Sequence, residues 1–378
     1  MIILLIMIDP RIKVLAKNLV HYSVAAKAGD KVLIEAHEID TPLITELVAE
    51  LYGVGAFVFV ELFDAKIQRA LLSGLTEAHV KDWARYSIAR MSEMDCYIGI
   101  RGGKNSFEVA DVAADKLELY AKHYSHPVHH NERVLKSRWV VLRYPNESMS
   151  QLAGMCTEKF EDFYFSVCNL DYSKMDKAMD ALKSLMDKTD RVRITAKDTD
   201  ISFSIKGIGS KKCSGHCNIP DGEVYSAPVK DSVNGVITYN APSIHRGVRF
   251  ENVGFRFEDG KIIEATCANH TEKLNQVLDT DEGARFVGEF AIGVNPYITA
   301  PMGDILFDEK IAGSIHFTPG ACYDDANNGN QSAIHWDLVL MQTPEYGGGE
   351  IWFDGRLIRK DGRFVAEELE GLNPENLK

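Results

Sequence analysis

The stretch "KVLIEAHEIDTPLITELVAELYGVGAFVFVEL" (residues 31–62) carries the pattern from which the fold class follows. Its opening, preceded by the turn "KAGD" (27–30), is an apolar run that reads as a buried strand. In "TPLITELVAELYGVG" (41–55) apolar residues recur at helical spacing, with Thr41 expected as N-cap and Pro42 at the first helical position. "AFVFVEL" (56–62) then reads as a second strand. Two strands joined by a helix form a βαβ unit, and the strands of such a unit lie parallel.

The alternation extends outward from this unit. Helical spacing marks "IDPRIKVLAKNLVHYSVAA" (8–26), and "DCYIGIRGG" (95–103) and "SRWVVLRYP" (137–145) read as two further strands. The turn "RGGKN" (101–105) has neither the spacing of a dinucleotide fingerprint nor that of a phosphate loop, which leaves it a strand-end turn. Ser148 and Gln151 fit a capping box for the helical segment "MSQLAGMCTEKFEDFYF" (149–165), and "KMDKAMDALKSLMDKTD" (174–190) continues as an amphipathic helix. Around residue 188 the texture changes to strands: "DRVRITAKDTDISFSI", "GEVYSAP", "NGVITYN", "VGFRFEDGKIIEAT" with Asp259-Gly260 as a hairpin turn, "RFVGEFAIGV", "GSIHFTPG" and "AIHWDLVLM". The expectation is an α/β N-terminal domain with a mostly parallel sheet over 1–188. A β-rich α+β C-terminal metal-binding domain follows over 189–378.

With 45% hydrophobic and 26% charged residues in 378, the composition is that of a globular enzyme, not of a disordered or fibrous chain. A net charge of −13 and the lack of any long Lys/Arg block exclude a general nucleic-acid binder, so the expected partners are small molecules, peptides or cations. Seven scattered cysteines, an odd number, point to the reducing cytosol and away from a secreted disulfide framework. The opening "MIILLIMI" is too short to span a bilayer, which needs ~20 apolar residues, and no signal-peptide features accompany it. It reads as a first strand, or as residues ahead of a start at Met7.

Several clusters invite a chemical reading. His123, His126, His129 and His130 crowd around Pro127 without a cysteine or carboxylate at matching spacing, and an exposed loop is expected there. Cys213, His216 and Cys217 resemble half a zinc site lacking its second half. In the second domain the polar residues fall in strands or at strand ends: Glu223, Glu289, Glu309, His316, and His335 with Asp337. Two residues apart on a strand, His335 and Asp337 share one face while Ile334, Trp336 and Leu338 take the other. Burying such groups costs several kcal/mol unless each finds a partner. Four carboxylates and two imidazoles form a ligand set for two divalent ions bridged by a carboxylate, of the zinc, cobalt or manganese kind.

The strings "NIPDGEVYSAPVKDSVNG" (218–235), "LDTDEGARFVGEFAIGVNP" (278–296), "ILFDEKIAGSIHFTPG" (305–320) and "NQSAIHWDLVL" (330–340) resemble the M29 metallopeptidase family, the aminopeptidase T type. "LVHYSVAAKAGDKVLIEA" (19–36) and "LRYPNESMSQLAGMCTEKFEDFYF" (142–165) are similar to the same family, so the likeness runs along nearly the whole chain. The resemblance implies an aminopeptidase acting on peptides with two divalent metal ions, in a cytoplasmic homodimer without membrane or nucleic-acid partners. It implies Glu223, Glu289 and His316 at the first metal, with Glu289 as the bridge, and Glu309, His335 and Asp337 at the second. Tyr323 matches the tyrosine that the family places beside the metals, where it would donate to the oxyanion. The six residues between Glu309 and His316 make a longer spacing than the family pattern. Two other readings stand beside this one. A mononuclear iron(II) ring-cleaving dioxygenase would use His316, His335 and Asp337 as a facial triad, and a non-catalytic metal-binding protein would use the cluster to hold a structural ion.

Overall fold

The structure, a computed structural model, describes residues 9–105, 107–245 and 247–378. The apolar opening "MIILLIMI" lies outside them. The chain divides into two compact units, residues 1–169 with 215–219 and residues 170–214 with 220–378, whereas the change in composition falls at 188. The difference is the helix Tyr172–Met186. Its buried stripe of Tyr172, Met175, Met179, Leu182 and Met186 packs against elements of the second unit, and Lys212 ties it there through Asp176 and Asp180.

In the first unit a five-stranded sheet has the order Phe57–Phe63, Lys31–His37, Cys96–Arg101, Arg138–Arg143, Asn218–Ile219, and every pairing is parallel. The βαβ reading of residues 31–62 therefore holds. The helix begins one residue differently from expectation, because Asp40 occupies the N-cap and Thr41 and Pro42 lie in the first turn of Thr41–Gly53. Likewise Asn146, not Ser148, caps Glu147–Leu152, its side chain accepting from the Met149 N–H at 3.0 Å. The amide oxygen of Asn146 reaches an N–H that would otherwise lack a partner at the helix start.

The histidine cluster is not an exposed loop. Residues Ala121–Val134 form a wide-turn π helix with Pro127 inside it and Tyr124 and Val128 buried. A wider turn leaves room for the proline ring, which in an α-helix collides with the carbonyl of the residue four before it.

The second unit is built on two antiparallel sheets, one of eight strands and one of five, with a separate two-stranded hairpin Ser243–His245 and Val248–Phe250. Phe290 and Phe317 from the five-stranded sheet meet Phe203 of the eight-stranded sheet at ring-centroid distances of 5.0 Å, which places an aromatic core between them. Asp259 and Gly260, both at positive φ, make the expected hairpin turn between Gly254–Glu258 and Lys261–Thr266.

The five-stranded sheet has the order Val339–Met341, Ser314–Pro319, Val287–Gly293, Glu223–Ser226, Lys211–Cys213. The segment "AIHWDLVLM" is regular strand only over Val339–Met341, while His335 makes an isolated bridge to Gly320. Gly320 is the reason these backbones can approach there. Its φ is +112°, and a Cβ would stand 2.1 Å from the Ile334 carbonyl oxygen. Ile334, Trp336 and Leu338 are buried, as expected, although Trp336 shares a cavity wall with His335 and Asp337. Among the described residues no helix is long and apolar enough to cross a membrane.

Gly320→Ala is therefore expected to destabilise the protein by roughly 2–4 kcal/mol, from backbone strain and overpacking together. Gly53→Ala, at a helix end with open space around it, should be neutral or stabilising by about 0.4–1 kcal/mol. Urea unfolding of the two variants checks the pair, and equal midpoints would contradict the close approach at Gly320.

Candidate metal centre

Three adjacent strands bring the polar residues of the second unit together. Ala291 pairs with His316 on one side and Tyr225 on the other, Glu289 pairs with Thr318, and Gly293 pairs with Glu223. Residues two apart on a strand share a face, so Glu223, Glu289 and His316 all project from the same side of the sheet. Ala291 and Gly293, between them on that face, leave the space open. A shift of register between Val287 and Glu289 marks a bulge at Gly288 that re-aims Glu289.

The side chains that meet there are buried, Glu289 being 3%, Glu223 5% and His316 1% exposed. His316 Nε2 lies 3.5 Å from Glu223 and 3.4 Å from Glu289, and His335 Nε2 lies 3.1 Å from Glu289 and 3.3 Å from Asp337. Asp337 also accepts from the Thr318 hydroxyl at 2.7 Å. His335 Nδ1 stands 2.7 Å from the Ala321 carbonyl oxygen. A carbonyl can only accept, so Nδ1 carries a proton and Nε2 is the atom turned toward the two carboxylates.

The ligand atoms fall into three-residue groups, each within 4.8 Å: Glu223, Glu289 and His316; Glu289, His335 and Asp337; Glu309, His316 and Asp337. Glu289 is common to the first two. Glu309 is the C-cap of the short helix Ile305–Asp308 and joins His316 and Asp337. Both ring nitrogens of His316, Nε2 of His335 and Oε2 of Glu223 are buried without a hydrogen-bond partner. Buried polar atoms are rarely left so, and oxygen and imidazole donors converging on one space fit a divalent cation.

The electrostatics point the same way. Although burial opposes charge on the ring, Glu223 and Glu289 hold the His316 imidazole up at about 10. Burial is likewise overcome at His335, where Asp337 and then Glu289 raise the imidazole to about 11. Asp337 is held well below the usual carboxylate range against its burial, by His335 and His316. The space thus demands positive charge, which protons supply in the absence of metal and which a metal would take over as it displaces them.

The spacing argument missed Lys310. Its ammonium is 1% exposed, donates to Glu223 Oε1 at 2.7 Å and to Glu309 Oε1, and lies 3.9 Å from Asp221. The signal was present as a charged run, Asp308-Glu309-Lys310, set inside the otherwise apolar "ILFDEKIAG". Burial is the largest influence on Glu309, pushing its carboxyl up to about 8 even with Lys310 beside it.

Of the cysteine and histidine pattern at 213–217, Cys213 gathers with Asp221 and Glu223, while His216 stacks on Tyr22 at 4.7 Å. Burial, reinforced by those two carboxylates, pushes the Cys213 sulfur well toward the protonated thiol, a poor metal ligand. Tyr323 is half exposed, with its ring 4.7 Å from His335 and 5.5 Å from Tyr225. Beside His335 and Asp337 opens a cavity of about 160 Å³ walled by Pro242, Ile244, Ile305, Trp336 and Asp308.

Residues 8–362 match the model of the thermophilic metalloprotease family, M29. Aminopeptidase T of Thermus aquaticus is 34% identical over 164 residues, 39% of this chain and 38% of that protein, so the matched stretch spans well under half of the relative's length. Among solved structures, wild-type AmpT from Thermus thermophilus superposes with a TM-score of 0.77 at 20% identity, covering 94% of this chain and 99% of that one. The 2,5-dihydroxypridine dioxygenase of Pseudomonas putida KT2440 gives 0.61 at 12% identity, covering 95% and 98%. These two likenesses establish a shared fold.

Glu289→Ala removes the carboxylate common to two groups. It is expected to lower the divalent metal bound per chain to a small fraction of the wild-type value, read by elemental analysis after dialysis against zinc. A variant that stays fully metallated would mean that Glu289 does not join the two groups through a cation.

Proposed function

This chain belongs to the thermophilic metalloprotease family (M29), and we propose that it is a metal-dependent aminopeptidase that removes N-terminal residues from peptides. The observation that carries the reading is the position of Glu289 in two of the three acid-and-imidazole groups. Glu223, Glu289 and His316 would hold one divalent cation and Glu289, His335 and Asp337 a second, with zinc, cobalt or manganese suited to such donors. When bound, a pair of this kind lowers the pKa of a water toward ~7 and polarises a substrate carbonyl.

The protein's own groups do the rest. Tyr323, beside His335, donates its hydroxyl proton in a hydrogen bond to the oxyanion of the tetrahedral intermediate. Partial burial of the ring and then the Glu289 and Asp337 carboxylates push its pKa up, which keeps it a donor at neutral pH. Glu309, expected from the resemblance at the second cation, already shares an oxygen with Lys310. We assign it to proton transfer at the carboxyl that faces His316 and Asp337, with Lys310 fixing its position. The cavity beside His335 and Asp337 takes the side chain of the N-terminal residue, its walls of Ile244, Ile305 and Trp336 favouring an apolar one. A homodimer working in the reducing cytosol belongs to the same reading, on the strength of the resemblance and the scattered cysteines.

The fold is shared with a dioxygenase and does not choose between the two chemistries. A one-iron enzyme would employ His316, His335 and Asp337, and would leave Glu223 and Glu289 buried with no task. Their presence, with Oε2 of Glu223 lacking any hydrogen-bond partner, supports the two-cation reading.

The purified protein should release leucine from a leucyl-arylamide, lose that activity to a chelator and regain it with zinc, cobalt or manganese. One iron per chain together with no peptidase activity would overturn the reading. Tyr323→Phe should keep the metal and lower kcat by ~10²–10³ with KM little changed, the size seen when one oxyanion donor is lost. An unchanged kcat would remove Tyr323 from the reaction.

A further inference from the structure

We propose that the first unit carries a small-molecule site of its own, at the carboxyl ends of its parallel strands, for a free amino acid with a large apolar side chain. The proposal goes beyond the peptidase reading and does not depend on it. The sheet order Phe57–Phe63, Lys31–His37, Cys96–Arg101, Arg138–Arg143 means that the chain's progression across the sheet reverses between Lys31–His37 and Cys96–Arg101. Open parallel sheets bind ligands in the crevice beyond their strand ends at such a point. Here two adjoining cavities, of about 250 and 420 Å³, share Glu35, His37, Gln68, Tyr120 and His129 as walls.

The smaller cavity is an apolar chamber. Trp83 meets Tyr124 at 4.5 Å, and Tyr120 stacks on Tyr124 at 4.9 Å. Around these rings Leu62, Ile67 and Leu71 are 67%, 63% and 43% exposed. Large side chains left in water around one concavity form a surface that gains by being covered. The larger cavity mixes polar and apolar surface, with Arg101 and Arg143 at the ends of their strands.

Glu35 stands where the two cavities join. Its carboxyl is held below the usual range in spite of burial, chiefly by His37, whose Nε2 is 3.0 Å away and whose ring stacks on Phe63 at 4.7 Å. His129, pushed down to about 4 by burial and by Arg133, is neutral at physiological pH. The cleft therefore presents a mainly apolar chamber with Asp64 in its wall, then the Glu35 and Glu38 carboxylates, then two guanidinium groups. An α-amino acid offers the complementary set from a single carbon: a side chain for the chamber, an ammonium for Glu35 and a carboxylate for Arg101 and Arg143. A nucleotide fits less well, because the adjacent "RGGKN" turn lacks a phosphate loop's glycine spacing and Glu35 and Glu38 would repel phosphate.

The test is calorimetric titration of the full chain with L-phenylalanine and L-leucine. Saturable binding at one site per chain is expected, retained in Glu289→Ala, which separates it from the metal centre. It should weaken by roughly tenfold or more in Arg101→Ala and in Glu35→Gln, as loss of a charge-assisted hydrogen bond does. Phenethylamine and 3-phenylpropionate, each lacking one charged group, should bind more weakly by a similar factor. Arg101 is exposed, so its truncation leaves the fold intact and circular dichroism verifies this. Binding that disappears in Glu289→Ala and persists in Arg101→Ala, the absence of saturable binding, or tighter binding of AMP at the same residues would each overturn the proposal.

Discussion

Acceptors facing acceptors in a dry space are the constraint on which the second unit is organised. Nε2 of His316 and Nε2 of His335 each point at two carboxylates from 3.1 to 3.5 Å away, and with Glu309 four carboxylates share the enclosure. At about 4 Å, two like charges cost about 4 kcal/mol even at an effective dielectric constant of 20. Only positive charge makes such a cluster stable. The surrounding architecture serves that arrangement: small residues at 291 and 293 clear the sheet face, the bulge at Gly288 turns Glu289 inward, and Gly320 lets the His335 segment close over the edge.

Part of the positive charge is supplied by the chain. A buried lysine is unfavourable alone, and Lys310 is tolerable because Glu223, Glu309 and Asp221 surround it. It bonds one oxygen each of Glu223 and Glu309. The other oxygen of Glu223, with Glu289 and Asp337, faces the two imidazoles, which is where a divalent ion is wanted. The likeness to a peptidase and to a dioxygenase structure is one of fold, and a fold does not by itself choose the chemistry of the site it carries.

The two units use different physics to make a concavity. In the first, parallel strands all end at one edge, and the reversal of their order opens a cleft into which strand-end side chains project. In the second, one antiparallel sheet face is emptied of bulk at chosen positions, and polar groups from neighbouring strands fill the gap.

Much of this could be read without coordinates. The apolar strand runs of residues 31–62 and the helical spacing between them determined the parallel α/β unit, because a strand–helix–strand order closes with its strands parallel. Local chemistry likewise determined the Asp259-Gly260 turn and the amphipathic helix that ends at Met186. The six acid and imidazole residues of the second unit stood out in sequence because charge in an apolar run is costly enough to need a reason. Register was beyond reach of the sequence: which strand lies beside which is set by packing between residues far apart in the chain, and it alone put Glu223 and His316 on either side of Glu289. The same holds for Lys310, whose neighbour Glu223 is 87 residues away. There the deciding contact is tertiary, and its free energy appears only once the chain has closed upon itself.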